Sequence, residues 1–269
     1  MGKKLFILFV TILVSYVGFC LFMYQQQDEM LYQPVTKKTL PIDVQAEAAN
    51  IVEVMTSDAI KLQGWHFDPT DPQKPTIIFF HGNGWSVGQS FAHVRFLIGA
   101  GYGLFMVEYR GYSGHKGKVT EGGLYKDARA YINWLKSVRG ISPQDMIFYG
   151  ESLGSAVAIK MAAEYQPKAT FVLSAFSSMQ DVAWNKYPYV PVPFLLRDKY
   201  KNLNVVGDIQ SPILFLHGRR DTLVPYEFAQ KLYEGANQPK EMVVYEEGTH
   251  TNLLDLGARE KILDFLKNL

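Results

Sequence analysis

The sequence predicts an α/β fold: a mostly parallel β-sheet with helices on both faces, preceded by one long apolar helix. Three observations carry this expectation. Short, continuous apolar runs recur from Thr76 onward, as strands buried on both faces require. Segments of helical length and period alternate with them, and such alternation implies parallel strands joined by crossovers. A serine framed by two glycines, Gly150-Glu151-Ser152-Leu153-Gly154, stands where one of those runs meets one of those helices.

Taken in order, the chain begins with a run free of charged residues from Leu5 to Tyr24. At ~1.5 Å per residue a helix of this length matches a hydrocarbon core of ~30 Å. No alanine occurs before Ala46 and no small-x-small site follows the apolar run, so the expectation is an uncleaved single-pass anchor over 1–24 rather than a signal peptide. Lys3 and Lys4 precede the run and Asp28 and Glu29 follow it, which predicts an inside N-terminus and a body on the far face of the membrane. Residues 25–50 are polar, carry Pro34 and Pro41 and lack sustained periodicity, so they read as a tether with little chemistry of its own.

The body is expected over 51–269. Ile51–Val54 and Ile60–Trp65 flank Ser57-Asp58-Ala59 and read as an antiparallel hairpin. The buried strands are expected at Thr76–Phe80, Leu104–Tyr109, Met146–Tyr149, Thr170–Leu173, Ile213–Leu216 and Met242–Tyr245. Glu121–Val138 is the clearest helix, its Leu124, Ala128, Tyr131, Leu135 and Val138 falling on one stripe. Others are expected at Ser86–Ile98, Leu153–Tyr165, Pro225–Tyr233 and Leu253–Leu266. Between two strands, about 174–210 exceeds an ordinary crossover and holds Phe176, Trp184, Tyr187, Tyr189, Phe194 and Tyr200. It reads either as a lid, whose aromatics would favour an apolar acyl or aromatic group, or as a surface helical excursion.

The strand, turn and helix around Ser152 are what a nucleophile elbow requires. A serine hydroxyl is a weak nucleophile and needs a base, itself oriented by an acid, in the chain order Ser, Asp or Glu, His. Asp221 follows one strand through His217-Gly218-Arg219-Arg220, and His250 follows the next through Glu246-Glu247-Gly248-Thr249. Both therefore fall past the carboxyl ends of strands, where an acid and a base belong. Among the other histidines, His66 lies in a hairpin strand, His93 on a helix and His115 in a glycine-rich loop, while His217 stands too near Asp221 in sequence. Asp208 and Asp255 are weaker acids for the role. The backbone N–H of Leu153 opens a helix beside the serine, and the loop His81-Gly82-Asn83-Gly84 supplies a second N–H, assigned to Asn83 with Gly82 or Gly84 as alternatives, so Leu153 and Asn83 form the expected oxyanion hole. The Glu108–Gly114 turn is expected to buttress that loop.

Composition narrows the remaining classes. A net charge of +1 with 48% apolar and 20% charged residues gives no electrostatic footprint for nucleic acid, and a single cysteine, Cys20, excludes an internal disulfide and a cysteine zinc site. The glycines at 82, 84 and 88 with Glu108 beyond imitate a dinucleotide-binding fingerprint, but their GxGxxxG spacing is wrong and that reading leaves Ser152, Asp221 and His250 unexplained. A silent binding protein on the same fold is a further alternative.

At these residues the chain resembles the α/β-hydrolase superfamily, over roughly Ile51 to Leu266. HGNG, EYRGYSG, GESLGS, FLHGRRDTLVP and EEGTH together look like a membrane-anchored serine hydrolase branch, often labelled with serine aminopeptidases and similar to protein depalmitoylases. The resemblance implies an eight-stranded, mostly parallel sheet, hydrolysis of an ester, thioester or amide through an acyl-enzyme, and no metal or organic cofactor. The motifs are not specific for a substrate: the anchor and the aromatic insertion favour a small acylated or amphiphilic molecule near a bilayer, with a serine aminopeptidase activity as the alternative. Ser155 departs from the glycine or alanine that many relatives carry there.

Overall fold

The computed structural model describes residues 2–269. The hairpin is β1 (Asn50–Met55) and β2 (Lys61–Phe67), followed by β3 (Thr76–Phe80), β4 (Gly103–Val107), β5 (Met146–Glu151), β6 (Ala169–Leu173), β7 (Ile213–Gly218) and β8 (Lys240–Tyr245). All eight form one sheet in the order β1-β2-β4-β3-β5-β6-β7-β8, in which only β2 runs against the others.

Strand alternation divides the core in two. Ile77 and Phe79 face α2 (Val87–Gly99) and α8 (Ala258–Lys267), whereas Ile78 and Phe80 face α3 (Glu121–Val138), α4 (Leu153–Tyr165) and α7 (Tyr226–Gly235). Every residue of β3, β4 and β7 is buried, which is why these strands read as unbroken apolar runs rather than alternating ones. At the edge, β1 does alternate.

The boundaries depart from expectation in three instructive places. Glu108 and Tyr109 leave β4 because the Glu108 carboxylate turns to meet His81. The expected helix over Leu253–Leu266 is divided: a short 3₁₀ turn, Leu253–Leu256, is separated from α8 by Gly257, whose φ of 104° no helix accommodates. Finally, α1 runs from Gly2 to Leu31, seven residues past the expected end. It is long and apolar enough to cross a membrane, with a mean hydropathy of 2.6 over its best window and nearly all of that window exposed. Its extension is a packing effect: Met23, Gln27, Met30 and Leu31 fall on one helical face and rest against the body.

Residues 174–210 fold as α5 (Met179–Lys186), α6 (Val192–Leu195) and two short 3₁₀ turns. They lie over the carboxyl ends of β5 and β6.

Candidate active site

The turn between β5 and α4 holds Ser152 at φ 49° and ψ −117°, a conformation that costs energy for any residue with a Cβ. Two glycines make it sterically feasible. A Cβ at Gly150 would come within 2.6 Å of Ser155 Cα, and one at Gly154 within 2.6 Å of the His81 carbonyl oxygen. Ser152 N–H donates to Leu173 O at 2.9 Å, and Ser155 Oγ donates back to Ser152 O at 2.5 Å. Ser155 thus braces the elbow's own carbonyl, a role the sequence did not disclose.

His250 Nε2 lies 2.9 Å from Ser152 Oγ, and its Nδ1 lies 2.7 Å from Asp221 Oδ2. The other Asp221 oxygen accepts N–H bonds from Leu223 at 2.9 Å and Val224 at 2.8 Å, so the carboxylate cannot rotate. With Oδ2 accepting, Nδ1 carries the imidazole proton and Nε2 is free to accept from the serine hydroxyl. The loops that bring acid and base together are laced by their own backbone: Arg219 N–H donates to Tyr245 O and Arg220 N–H to Gly248 O. Gly218 and Gly248 touch directly, and a Cβ at Gly248 would sit 2.8 Å from Gly218 Cα.

Two of the competing histidines, His217 and His66, are buried in the core. His217 is buried behind Asp221 at 3.6 Å, and its Nε2 donates to Val224 O at 2.9 Å. Burial holds it below the usual imidazole range. His66 is pushed down to about 4 by burial between Phe105 and Trp134.

The loop after β3 packs under the serine, with Gly82 beside Ser152 Cβ. His81 Nδ1 donates to Gly82 O and Nε2 to Glu108 Oε1, each at 2.8 Å. Burial alone would raise the Glu108 carboxyl, but the charge and hydrogen bond of His81, with donors from Ser113 and Val87 N–H, hold it below its ordinary value. Glu108 is therefore a core scaffold, and the dinucleotide imitation has no acid left for a ribose. Arg110 anchors the following turn between Asp127 and Asp58. Leu153 and Asn83 both border the cavity at Ser152, and neither N–H has a protein acceptor among the described residues.

The family described as serine aminopeptidase, S33, matches this chain over residues 71–199 and 195–257. The chain belongs to that family of α/β hydrolases. Protein Rv2307c of Mycobacterium tuberculosis is 32% identical over 228 residues, covering 84% of this chain and 81% of its own. Human alpha/beta hydrolase domain-containing protein 17B is 31% identical over 184 residues, 67% of this chain and 62% of its own. The esterase Pf2001 of Pyrococcus furiosus superposes with a TM-score of 0.71 at 25% identity, over 88% of this chain and 98% of its own.

In this α/β hydrolase the serine opens onto a cavity of about 420 Å³. The insertion between β6 and β7 roofs it with Met179, Val182, Val190, Val192 and Leu196, so the segment overlies the site. Its aromatics are distributed otherwise than expected. Phe176 and Tyr187 face the cavity, Tyr200 is buried beneath, and Trp184, Tyr189 and Phe194 point outward, Phe194 with 88% of its surface exposed. The lining is mainly aliphatic, with Met23, Met30 and Met179 beside four aromatics, of which Tyr24 and Trp85 lie outside the insertion. The larger correction concerns the tether. Met23, Gln27, Met30, Leu31 and Gln33 line the same cavity, although little chemistry was expected of 25–50. Their spacing of four, three and one between Met23 and Leu31 was the available signal, masked by three consecutive glutamines.

Glu151 also lines the cavity. Burial pushes its carboxyl up to about 7, against lowering by a hydrogen bond from Tyr149 and by the charges of His81 and His250. The folded chain then holds more protons than the unfolded one between 4.5 and about 7, so stability falls as pH rises through that window. Glu151→Gln keeps an acceptor for Tyr149 and removes the buried charge. It is expected to stabilise the protein by on the order of 3 kcal/mol at pH 8 and to lose that advantage near pH 4.5, measured by denaturant unfolding across pH. Equal stabilisation at both pH values would show that the charge is not the cause.

Proposed function

We propose that this hydrolase is a membrane-anchored serine hydrolase that cleaves acyl esters or thioesters through an acyl-enzyme, with Ser152 as nucleophile, His250 as base and Asp221 as the acid that orients it. The observation that carries this reading is the hydrogen-bonded line Ser152–His250–Asp221 at the floor of an apolar cavity. His250 takes the Ser152 proton as Oγ attacks the carbonyl carbon, and the Leu153 and Asn83 N–H groups stabilise the oxyanion. The imidazolium returns its proton to the leaving group, then the ring activates water to release the acid. These steps need no metal or organic cofactor.

The membrane reading rests on α1, whose apolar length suits a single span, with Lys3 and Lys4 on the inner side and the body outside. A helix that crosses the bilayer and then walls the cavity brings the site to the surface where acylated molecules lie. A peptidase acting on a free N-terminal amine would want a carboxylate facing the substrate. Among the described residues only Glu151 lines the cavity with one, and burial pushes its carboxyl up to about 7, so that much of it is neutral near pH 7. Acyl chains therefore fit better than amines.

A cavity within the usual ~300–1,000 Å³ of ligand sites, with this lining, rewards chain length. Each buried methylene contributes ~0.8 kcal/mol, so kcat/KM for p-nitrophenyl esters is expected to rise up to about fourfold per carbon from acetate towards octanoate. A flat series, with aminoacyl amides turned over faster, would favour the peptidase.

A further inference from the structure

The side chain of Asn83, the residue assigned as an oxyanion donor, is held by the segment that follows the membrane helix. Its Nδ2 donates to Leu31 O at 2.8 Å. Its Oδ1 accepts from Gln33 N–H at 2.9 Å and from Tyr112 OH at 2.9 Å. Both lone pairs of the oxygen are occupied, so the amide cannot turn without breaking several bonds. Two of these three partners are backbone groups of residues 31 and 33, at the end of α1.

That end of α1 is itself fixed to the insertion above the cavity. Gln27, only 7% exposed, donates through Nε2 to Leu195 O at 3.2 Å and accepts from Arg197 N–H at 2.8 Å. Arg197 pairs with Asp28 at 2.7 Å, and Tyr32 OH donates to Asp198 at 2.7 Å. Ser113 N–H, from the turn that carries Tyr112, donates to Val35 O at 2.7 Å. A flexible tether needs none of these bonds.

We infer that the junction Leu31–Gln33 is a positioning element of the active site: it clamps the Asn83 side chain and thereby sets the backbone N–H that receives the oxyanion. The helix that ties the chain to a bilayer is then also a component of catalysis, joined to the oxyanion loop on one side and to the cavity roof on the other. This rests on the serine-hydrolase reading above. The physical lever is geometric. A displacement of about 1 Å at a reacting centre can cost up to ~10²-fold, comparable to the loss of one oxyanion donor. The clamp acts on the transition state and leaves the apolar walls that bind the acyl chain in place, so its loss belongs in kcat rather than KM.

The test uses the full-length protein in detergent micelles. Gln33→Pro deletes the N–H that Asn83 accepts from, and Asn83→Ala deletes the clamped side chain while keeping its backbone N–H. Each is expected to lower kcat about 10-fold to 100-fold with KM within about twofold. Because both break the same link, the double variant should be no slower than Asn83→Ala alone. If Gln33→Pro does not fold, a Gly-Gly insertion after Leu31, which separates the two backbone contacts, is expected to have the same coupled effect. Unchanged kcat, or losses that multiply in the double variant, would overturn the inference. Wild-type turnover that survives Ser152→Ala would instead overturn the hydrolase reading, and the inference with it.

Discussion

Asp221→Asn is expected to lower kcat by about 10⁴-fold while leaving the fold intact, close to the loss from Ser152→Ala, which should fall in the range of ~10⁴-fold to 10⁶-fold. The asparagine result follows from which atoms are fixed. Leu223 and Val224 N–H groups both point at the position of Oδ1, so in the Asp221→Asn variant the amide oxygen must occupy that site and the NH₂ must face His250. Nδ1 is then obliged to accept, the ring proton moves to Nε2, and Nε2 can no longer take the proton of Ser152. The measurement is turnover of a p-nitrophenyl ester together with the rate of labelling by a fluorophosphonate probe. Ser152→Ala should abolish labelling, and Asp221→Asn should slow it, at unchanged circular dichroism. Undiminished labelling of the alanine variant would remove Ser152 from the mechanism. Wild-type rates in the asparagine variant would mean that another group orients His250.

Gly154→Ala is expected to be among the most damaging single-methyl additions to this chain. The new Cβ would meet the Phe80 carbonyl well inside contact distance and lie 2.6 Å from the His81 carbonyl oxygen, both rigid backbone at the end of β3. No side chain can yield there, so α4 must move away from the sheet. Overpacking of this kind costs about 1–3 kcal/mol where neighbours can shift and more where they are backbone. At the upper end, with ~2–4 °C per kcal/mol for a domain of this size, thermal unfolding should fall by roughly 10 °C. The displaced elbow should also lose probe labelling in whatever protein remains folded. Gly122→Ala is the control: an added Cβ there meets nothing within 4 Å, and the change should be neutral or slightly stabilising. Equal stability of the two variants would mean that the elbow tolerates slack that its geometry denies.

Much of the architecture was legible because burial on both faces leaves a direct trace in residue type. Thr76–Phe80 and Leu153–Tyr165 could be read to the residue because they are apolar almost throughout, and Glu121–Val138 because its apolar period and its N-terminal cap agree. Thr120 accepts from Gly123 N–H at the start of α3, a local signal that needs no distant partner. Legibility failed where a distant partner decided the outcome. Gln25–Leu31 looked like the start of a tether because glutamines are polar, yet Gln27 is buried by bonds to Leu195 and Arg197, some 170 residues away. Glu108 looked like the end of a strand, but its carboxylate leaves the sheet to meet a hydrogen bond from His81. Three of the insertion's aromatics looked cavity-bound and point outward.

By itself the sequence determined the order of strands and helices and the glycines that permit the elbow at Ser152, because these depend on demands felt within a few neighbouring residues. It offered Asp221 and His250 through chain order and their places past strand ends. Only the tertiary structure decided that those three side chains form one hydrogen-bonded line, that Glu151 is desolvated beside them, and that the end of α1 grips Asn83. Those outcomes depend on distances between groups far apart in the chain, which folding sets through the packing of whole elements and which no local pattern encodes.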